Sequence, residues 1–162
     1  MEEDLAFQER SWRLQRLGWG LMLIASLAAV LGLFGSGPLS RASIGSETGG
    51  PLRLEYARFV RVDAPSVLRV RIAAVGPGRE RGTASLWLNR EYLERMRVEE
   101  VLPPPVAVEA RGPEMHYTFA ASGEPAPLSV TFRLRPTAAG LLRADIGLPR
   151  GPVVPFTQIV FP

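Results

Sequence analysis

The chain has 162 residues and a net charge of +3, and all of its 19 basic residues are arginine. It contains no cysteine, which excludes a disulfide framework and a thiolate metal site. The charge is too small to indicate nucleic-acid binding, so the composition favours a single compact domain with an ordinary charged surface.

Residues 17–35 contain no charged side chain and predict a transmembrane helix. Nineteen helical residues span roughly 28 Å, close to the hydrocarbon thickness of a bilayer. Three arginines precede this run and only Arg41 follows it closely, so the positive-inside rule predicts a bacterial inner-membrane protein with a cytoplasmic N-terminus and a periplasmic C-terminal domain. We therefore predict a cytoplasmic lead and a single-pass helix over residues 1–36. The alternative is a cleaved signal peptide, for which Ser40-Arg41-Ala42 offers small residues at the right spacing.

Two sets of residues in this helix have predicted roles. Aromatic and basic side chains at the cytoplasmic end fit a membrane interface. They are Trp12, Arg13, Arg16 and Trp19. Small residues recur at spacing four and would let another helix approach closely. They are Ala25, Ala28, Ala29, Gly32 and Ser36. The helix is thus predicted to contact the lipid bilayer and other membrane-protein subunits.

Residues 37–51 are small, polar and prone to turns, which predicts a linker. From residue 52 onward apolar and polar side chains alternate, as in half-buried antiparallel strands. The alternating runs are 52–56, 68–72, 84–88, 115–119, 128–134, 144–148 and 153–161. Seven to nine short strands predict an immunoglobulin-like sandwich over residues 52–162. Residues 89–96 interrupt the pattern and predict one or two helical turns capped by Asn89.

Several arginines fall on the outward positions of these strands. They are Arg53, Arg69, Arg71, Arg133 and Arg135. If the strands share a sheet, these side chains form a docking face for carboxylates of a partner subunit or for lipid headgroups. The alternative is a solvated sheet face that Glu55 partly compensates.

The sequence predicts no catalytic, metal or cofactor site, and hence no enzyme. His116 is the single histidine, and its position between Met115 and Tyr117 directs it outward. No nucleophile-elbow motif accompanies it. Glu99 and Glu100 are adjacent in a predicted strand and should point to opposite faces, which would prevent joint acid–base work.

The N-terminal third resembles the start of a group of small, uncharacterised bacterial single-pass proteins with an exported β-domain. The resemblance rests on the segments FQER at 7–10, WR at 12–13, QR at 15–16, GW at 18–19, LGLFGSGPLS at 31–40 and LEYARF at 54–59. It implies no catalytic residues. The overall plan is also similar to accessory subunits of bacterial energy-transducing complexes, including photosynthetic reaction-centre assemblies.

These features favour a non-catalytic accessory or scaffolding subunit of a multi-subunit bacterial membrane complex, photosynthetic or respiratory. The helix would pack in the membrane and the sandwich would brace an extramembrane subunit. The alternative is a free-standing, membrane-tethered periplasmic binding or chaperone-like module that uses an open sheet edge or a groove. Neither hypothesis involves nucleic acid or a small-molecule substrate.

Overall fold

A computed structural model describes residues 5–30, 41–45, 50–80, 82–121 and 126–162, and it is mostly β-structure. The chain divides into two compact units, Met1–Ser40 and Arg41–Pro162. In chain order the elements are α1 (Leu5–Val30), β1 (Arg41–Gly45), β2 (Leu52–Ala57), β3 (Phe59–Arg61), β4 (Ser66–Ile72), β5 (Arg79–Glu80), β6 (Thr83–Asn89), α2 (Arg90–Glu94), β7 (Met96–Leu102), β8 (Ala107–Arg111), β9 (Glu114–Ala120), β10 (Leu128–Pro136), β11 (Gly140–Gly147) and β12 (Val153–Phe161).

The first unit contains α1, and the predicted transmembrane helix is wrong. Within the described part of the chain, no helix is long and apolar enough to cross a membrane. The first half of α1 carries Arg10, Arg13 and Arg16, so the charge-free part of the helix is residues 17–30. Fourteen helical residues span only about 21 Å, against about 30 Å for the hydrocarbon core. The single-pass topology, the bacterial inner-membrane location and the photosynthetic assignment depended on that helix, and they are corrected with it.

The residues assigned to helix roles are only partly described. Trp12 and Trp19 are exposed, and the Arg16 guanidinium lies over the Trp12 ring at 4.6 Å from its centroid, a cation–π contact. Ala25 is also exposed. Gly32 and Ser36 lie outside the described residues, as do the side chains of Arg13, Ala28 and Ala29. The membrane-interface role required a spanning helix and is not carried further, whereas packing through the small residues stays a prediction.

The second unit begins inside the segment that was predicted to be a linker. Residues 41–45 form β1, which pairs antiparallel with β2 from Arg41 opposite Ala57 to Gly45 opposite Arg53. Ala42 is buried, so even this small-residue strand contributes to the core. A strand forms here because β2 offers backbone partners, which composition alone does not reveal.

Two sheets enclose one apolar core in the second unit. The five-stranded sheet has the order β1-β2-β4-β10-β7, and the seven-stranded sheet has the order β3-β12-β11-β6-β9-β8, with β5 paired to β6. In β4, Leu68 and Val70 are buried while Arg69 and Arg71 are exposed, which is the alternation that a half-buried strand requires. All seven alternating runs overlap strands, β7 contains the strand predicted around Glu99 and Glu100, and β1, β3, β5 and β8 are additional. Sheets of five and seven strands therefore replace the expected immunoglobulin-like sandwich of seven to nine.

A buried polar contact joins the two sheets where the chain crosses between them. β2 ends at Ala57 in one sheet, and β3 begins at Phe59 in the other, parallel to β12. Gln158 Nε2 donates to the Ala57 carbonyl at 2.8 Å, and Gln158 Oε1 accepts from the Tyr92 hydroxyl at 2.7 Å. Because Tyr92 lies in α2, this glutamine connects the helix, β12 and the crossing inside the core.

The predicted short helix is α2, but the predicted capping by the Asn89 side chain is wrong. The Asn89 side chain makes no cap hydrogen bond to the helix. Its Oδ1 instead accepts from the Asp145 backbone N–H at 3.2 Å, while the Arg90 N–H at the helix start donates to the Pro113 carbonyl at 2.7 Å. The turn that contains Pro113 therefore supplies the acceptor for the first backbone N–H of the helix.

Candidate functional site

Three arginines share the outer surface of the five-stranded sheet. β2 and β4 are in register with Arg53 opposite Arg71 and Glu55 opposite Arg69. β10 places Ser129 beside Arg71 on the other side. All five side chains are exposed, and they line a shallow depression of about 180 Å³. We call Arg53, Arg69, Arg71 and Glu55 the arginine face.

Within the described ranges, the arginine face carries more positive than negative charge. It holds three guanidinium groups and one carboxylate, and Arg53 and Arg71 are directly opposite across neighbouring strands. Like charges in that position destabilise a sheet. The ion pairs found among the described residues include none of these three arginines. Arg53 has only a neutral partner there, since its Nε donates to the Ser43 hydroxyl at 3.0 Å.

The other two arginines predicted for this surface are already paired. Arg133 Nη1 lies 2.8 Å from Glu100 Oε2, and Arg135 Nε lies 2.5 Å from Glu99 Oε1. The pairing register of β10 with β7 shifts between Arg133 and Leu134, as in a β-bulge. Two consecutive glutamates therefore reach the same face, contrary to the sequence prediction. Arg133 and Arg135 therefore each form an ion pair with β7 and are separate from the arginine face.

The chemistry of the arginine face suits an anion. A guanidinium group is planar, stays charged at any physiological pH and donates two parallel hydrogen bonds to a carboxylate. Three such groups within two neighbouring strands offer several donors to an acidic surface. The depression is shallow and open, so it fits a surface of a partner better than an enclosed small molecule.

The outer surface of the seven-stranded sheet carries a different feature, which the sequence analysis missed. Phe59, Ile159 and Leu141 are neighbours in register across β3, β12 and β11. Phe161 continues the row, with its ring 6.0 Å from that of Phe59. Leu141 is 52% exposed and Phe161 is 46% exposed. We call these four residues the apolar strip. Its signal in the sequence is that residues 153–161 carry apolar side chains at both alternating positions.

His116 does not form a catalytic arrangement with the described residues. It lies on the outer face of the seven-stranded sheet, and its Nε2 is 2.8 Å from Glu114 Oε2. Neither a serine nor a threonine in the described ranges is hydrogen-bonded to it. No group of three or more His, Cys, Asp or Glu residues in those ranges could hold a metal ion. That the protein is not an enzyme stays a prediction.

A second depression, of about 330 Å³, lies beside α2. Its lining residues are Glu91, Tyr92, Arg95, Leu141, Leu142 and Arg143. Burial raises the pKa of Tyr92 well above its ordinary value, and its hydroxyl is committed to Gln158. Tyr92 is therefore a structural hydrogen-bond donor.

No known family profile matches the chain, and no curated protein matches it either. Among solved structures, the chain is similar to a cohesin module from the Clostridium perfringens ATCC13124 family 33 glycoside hydrolase, with 13% identity, a TM-score of 0.45 and coverage of 68% of this chain and 95% of that one. It is also similar to a β-glucosidase from Listeria innocua, solved in complex with gluconolactone, with 13% identity, a TM-score of 0.42 and coverage of 80% of this chain and 17% of that one. These likenesses are too distant to carry a functional argument, and the resemblance to small bacterial single-pass proteins stays a prediction.

Proposed function

We propose that this protein is a non-catalytic accessory or scaffolding subunit whose β-domain binds an acidic surface of another protein. The observation that carries the proposal is the arginine face, where Arg53 and Arg71 lie directly opposite each other and Arg69 lies opposite Glu55. This arrangement costs folding stability when the protein is alone. An acidic partner would convert the repulsion into charge-assisted hydrogen bonds.

Complementary charge would mainly set the rate and specificity of association. Exposed charged groups steer encounter and reject like-charged partners, and salt screens them over about 10 Å at 0.1 M. Binding through the arginine face should therefore weaken as the salt concentration rises. Partner contacts made through Arg133 and Arg135 should matter less, because those side chains are already neutralised by Glu100 and Glu99.

The test is site-specific photo-cross-linking of the full chain in the cells that express it. A photoreactive amino acid replaces Ser129, which lines the depression beside Arg71. We expect cross-links to acidic segments of one protein and a roughly tenfold loss of yield with Arg71→Glu, since reversing one interfacial charge typically costs over 1 kcal/mol. Arg143→Glu is the matched control, because Arg143 is exposed on the other sheet. Equal yields from the two variants would contradict the proposal.

A second candidate, a binding or chaperone-like module, is favoured by the apolar strip. Exposed aromatic and aliphatic side chains in a row are enriched at interfaces and would accept an apolar segment of another protein. The same experiment separates the two candidates. A photoreactive residue at Thr157, which is exposed on β12 beside the strip, should be the efficient probe if this second function holds. In that case Arg71→Glu should have no effect on its yield.

A further inference from the structure

The outermost strand of the seven-stranded sheet is open to another strand. β8 pairs only with β9 among the described elements, at the end of the strand order. Its residues from Val108 to Arg111 are exposed, although Val108 and Ala110 lie on the same face as buried Tyr117. Val108 is 47% exposed. As far as the described elements show, β8 thus has an open backbone edge and an apolar inner row without a further strand beside it.

The other sheet edges are less suited to strand addition. β3 has three residues, and β7 contains the register shift that disrupts regular pairing. β1 lies beside Arg53, so two copies joined through β1 would bring two arginine faces together. β8 is a regular strand of five residues whose register with β9 is unbroken.

The turn after β8 determines which of its backbone groups point outward. Arg111 pairs with Glu114 across the two-residue turn Gly112-Pro113, and Gly112 has a φ of 59°, as the first central residue of a type II′ turn requires. The backbone groups of Arg111 therefore bond to Glu114. Because antiparallel pairing alternates, those of Glu109 also face β9, whereas those of Val108 and Ala110 face the open edge.

We propose that two copies of this chain pair antiparallel through β8, with Ala110 of one copy opposite Ala110 of the other. This register lets the two Ala110 residues exchange both backbone hydrogen bonds across a twofold axis. It also places Glu109 opposite Arg111 of the second copy, and Arg111 opposite Glu109 of the second copy. With the axis at Glu109, the two Glu109 carboxylates would face each other. With the axis at Val108, Glu109 would face Ala107 of the second copy, and neither Glu109 nor Arg111 would face a group of opposite charge.

The charges and the inner row both favour this occupant over an unrelated strand. Within one copy Arg111 Nη2 lies 2.6 Å from Glu109 Oε2, and both side chains are more than half exposed, so each can reach its counterpart in the second copy. Their facing positions form non-hydrogen-bonded pairs, in which side chains are closest. On the other face, Val108 and Ala110 of both copies form one continuous apolar row. The dimer uses a different surface from the arginine face, so it stands independently of the proposed partner binding.

The test uses the absence of cysteine from the chain. In a hydrogen-bonded antiparallel pair the two Cα atoms are about 5.5 Å apart, which suits a disulfide. The full chain with Ala110→Cys should therefore give a covalent dimer under mild oxidation. Ala120→Cys, at an exposed position of β9, is the matched control. A dimer in solution whose Ala110→Cys variant cross-links no better than the control would overturn the proposal, because it would place the contact elsewhere.

Charge swaps give a second, independent readout. Glu109→Arg or Arg111→Glu alone should slow the cross-linking of Ala110→Cys by about tenfold, since two attractive cross-strand pairs become repulsive. The double variant Glu109→Arg with Arg111→Glu restores both pairs and should restore the rate. Circular dichroism is the check that each variant is folded. Failure of the double variant to recover would also overturn the register.

Discussion

The outer faces of the two sheets carry different kinds of side chain, whereas their inner faces are alike. The inner faces are both apolar, with Phe132 from the five-stranded sheet and Phe119 from the seven-stranded sheet fully buried. Outside, one sheet presents the arginine face and its ion-paired neighbours, and the other presents the apolar strip. Folding requires the inner faces to be alike, because they share one core. It imposes no such requirement outside, so the outer faces are where binding chemistry is to be sought.

The two outer faces also differ in how tightly they are packed. On the seven-stranded sheet the Trp87 ring lies against Gly147, where an added Cβ would be 2.5 Å from a ring carbon. On the five-stranded sheet the arginine face is exposed and open. Substitutions on the first face should therefore change stability by altering packing, and substitutions on the second should act through charge.

The largest expected effect is at Gly147. Gly147→Ala forces the Trp87 ring to move and should lower the free energy of unfolding by about 1–3 kcal/mol. Chemical unfolding followed by circular dichroism measures it. In a background with Trp12→Phe and Trp19→Phe, the fluorescence of Trp87 reports displacement of the ring, because it is then the single tryptophan.

A double-mutant comparison identifies the cause of that loss. If the ring contact is responsible, Gly147→Ala should cost little once Trp87→Leu has removed the ring, so the two changes are strongly non-additive. Additive effects would mean that the backbone of Gly147, and not the packing of Trp87, sets the cost.

Much of the difference between the two outer faces could not be predicted from the sequence. Alternation within one strand is local, so the outward positions of Arg53, Arg69 and Arg71 follow from the sequence alone. That Arg53 faces Arg71 depends on the register of β2 with β4, which is a non-local property. The sequence therefore predicted which side chains are on the surface, but not which of them are adjacent.

Three wrong predictions from the sequence each have a physical reason. Glu99 and Glu100 share a face because of a register shift in β7, and a bulge of this kind has no sequence signature here. Residues 41–45 were assigned to a linker because their composition is turn-prone, yet β2 supplies the pairing that makes them a strand. The transmembrane prediction counted residues 17–35 as helix, whereas α1 runs Leu5–Val30 and so contains only residues 17–30 of that run.

The next effect concerns the core beneath both faces. Tyr92→Phe leaves Gln158 Oε1 buried without its donor and should cost about 1–3 kcal/mol at neutral pH. Tyr117→Phe is the control, since Tyr117 is also buried but its hydroxyl has no hydrogen bond among the described residues. Urea unfolding of the full chain measures both. Equal losses in the two variants would show that the contact with Gln158 contributes nothing specific.

The same tyrosine predicts how stability depends on alkaline pH. Burial raises the pKa of Tyr92 above its ordinary value of 10.0, so the folded state keeps the proton that the unfolded state releases. Above about pH 10 the unfolded state binds fewer protons, and stability falls by at most about 1.4 kcal/mol per pH unit for this group. Tyr92→Phe removes that contribution. The difference between wild type and variant should therefore narrow as pH rises past 10, whereas the always-charged arginine face contributes no change there.

The smallest effect has the opposite sign and tests the arginine face itself. Arg71→Glu places a carboxylate opposite Arg53 and should raise the free energy of unfolding by about 0.2–1 kcal/mol. Arg69→Glu is the matched control, because it makes the same change in net charge but places a second carboxylate opposite Glu55. It should lower stability by a similar amount. Added salt should bring the two variants together, since it screens both interactions.

A stability gain in Arg71→Glu together with loss of partner cross-linking would have one physical meaning. The wild-type chain would carry a repulsion that the isolated domain does not need and that only an anionic partner relieves, which is the usual relation between a binding surface and stability. If Arg71→Glu and Arg69→Glu instead change stability equally, the register-specific repulsion is absent. The three arginines would then form an ordinary solvated surface, and the contrast between the two outer faces would rest on the apolar strip alone.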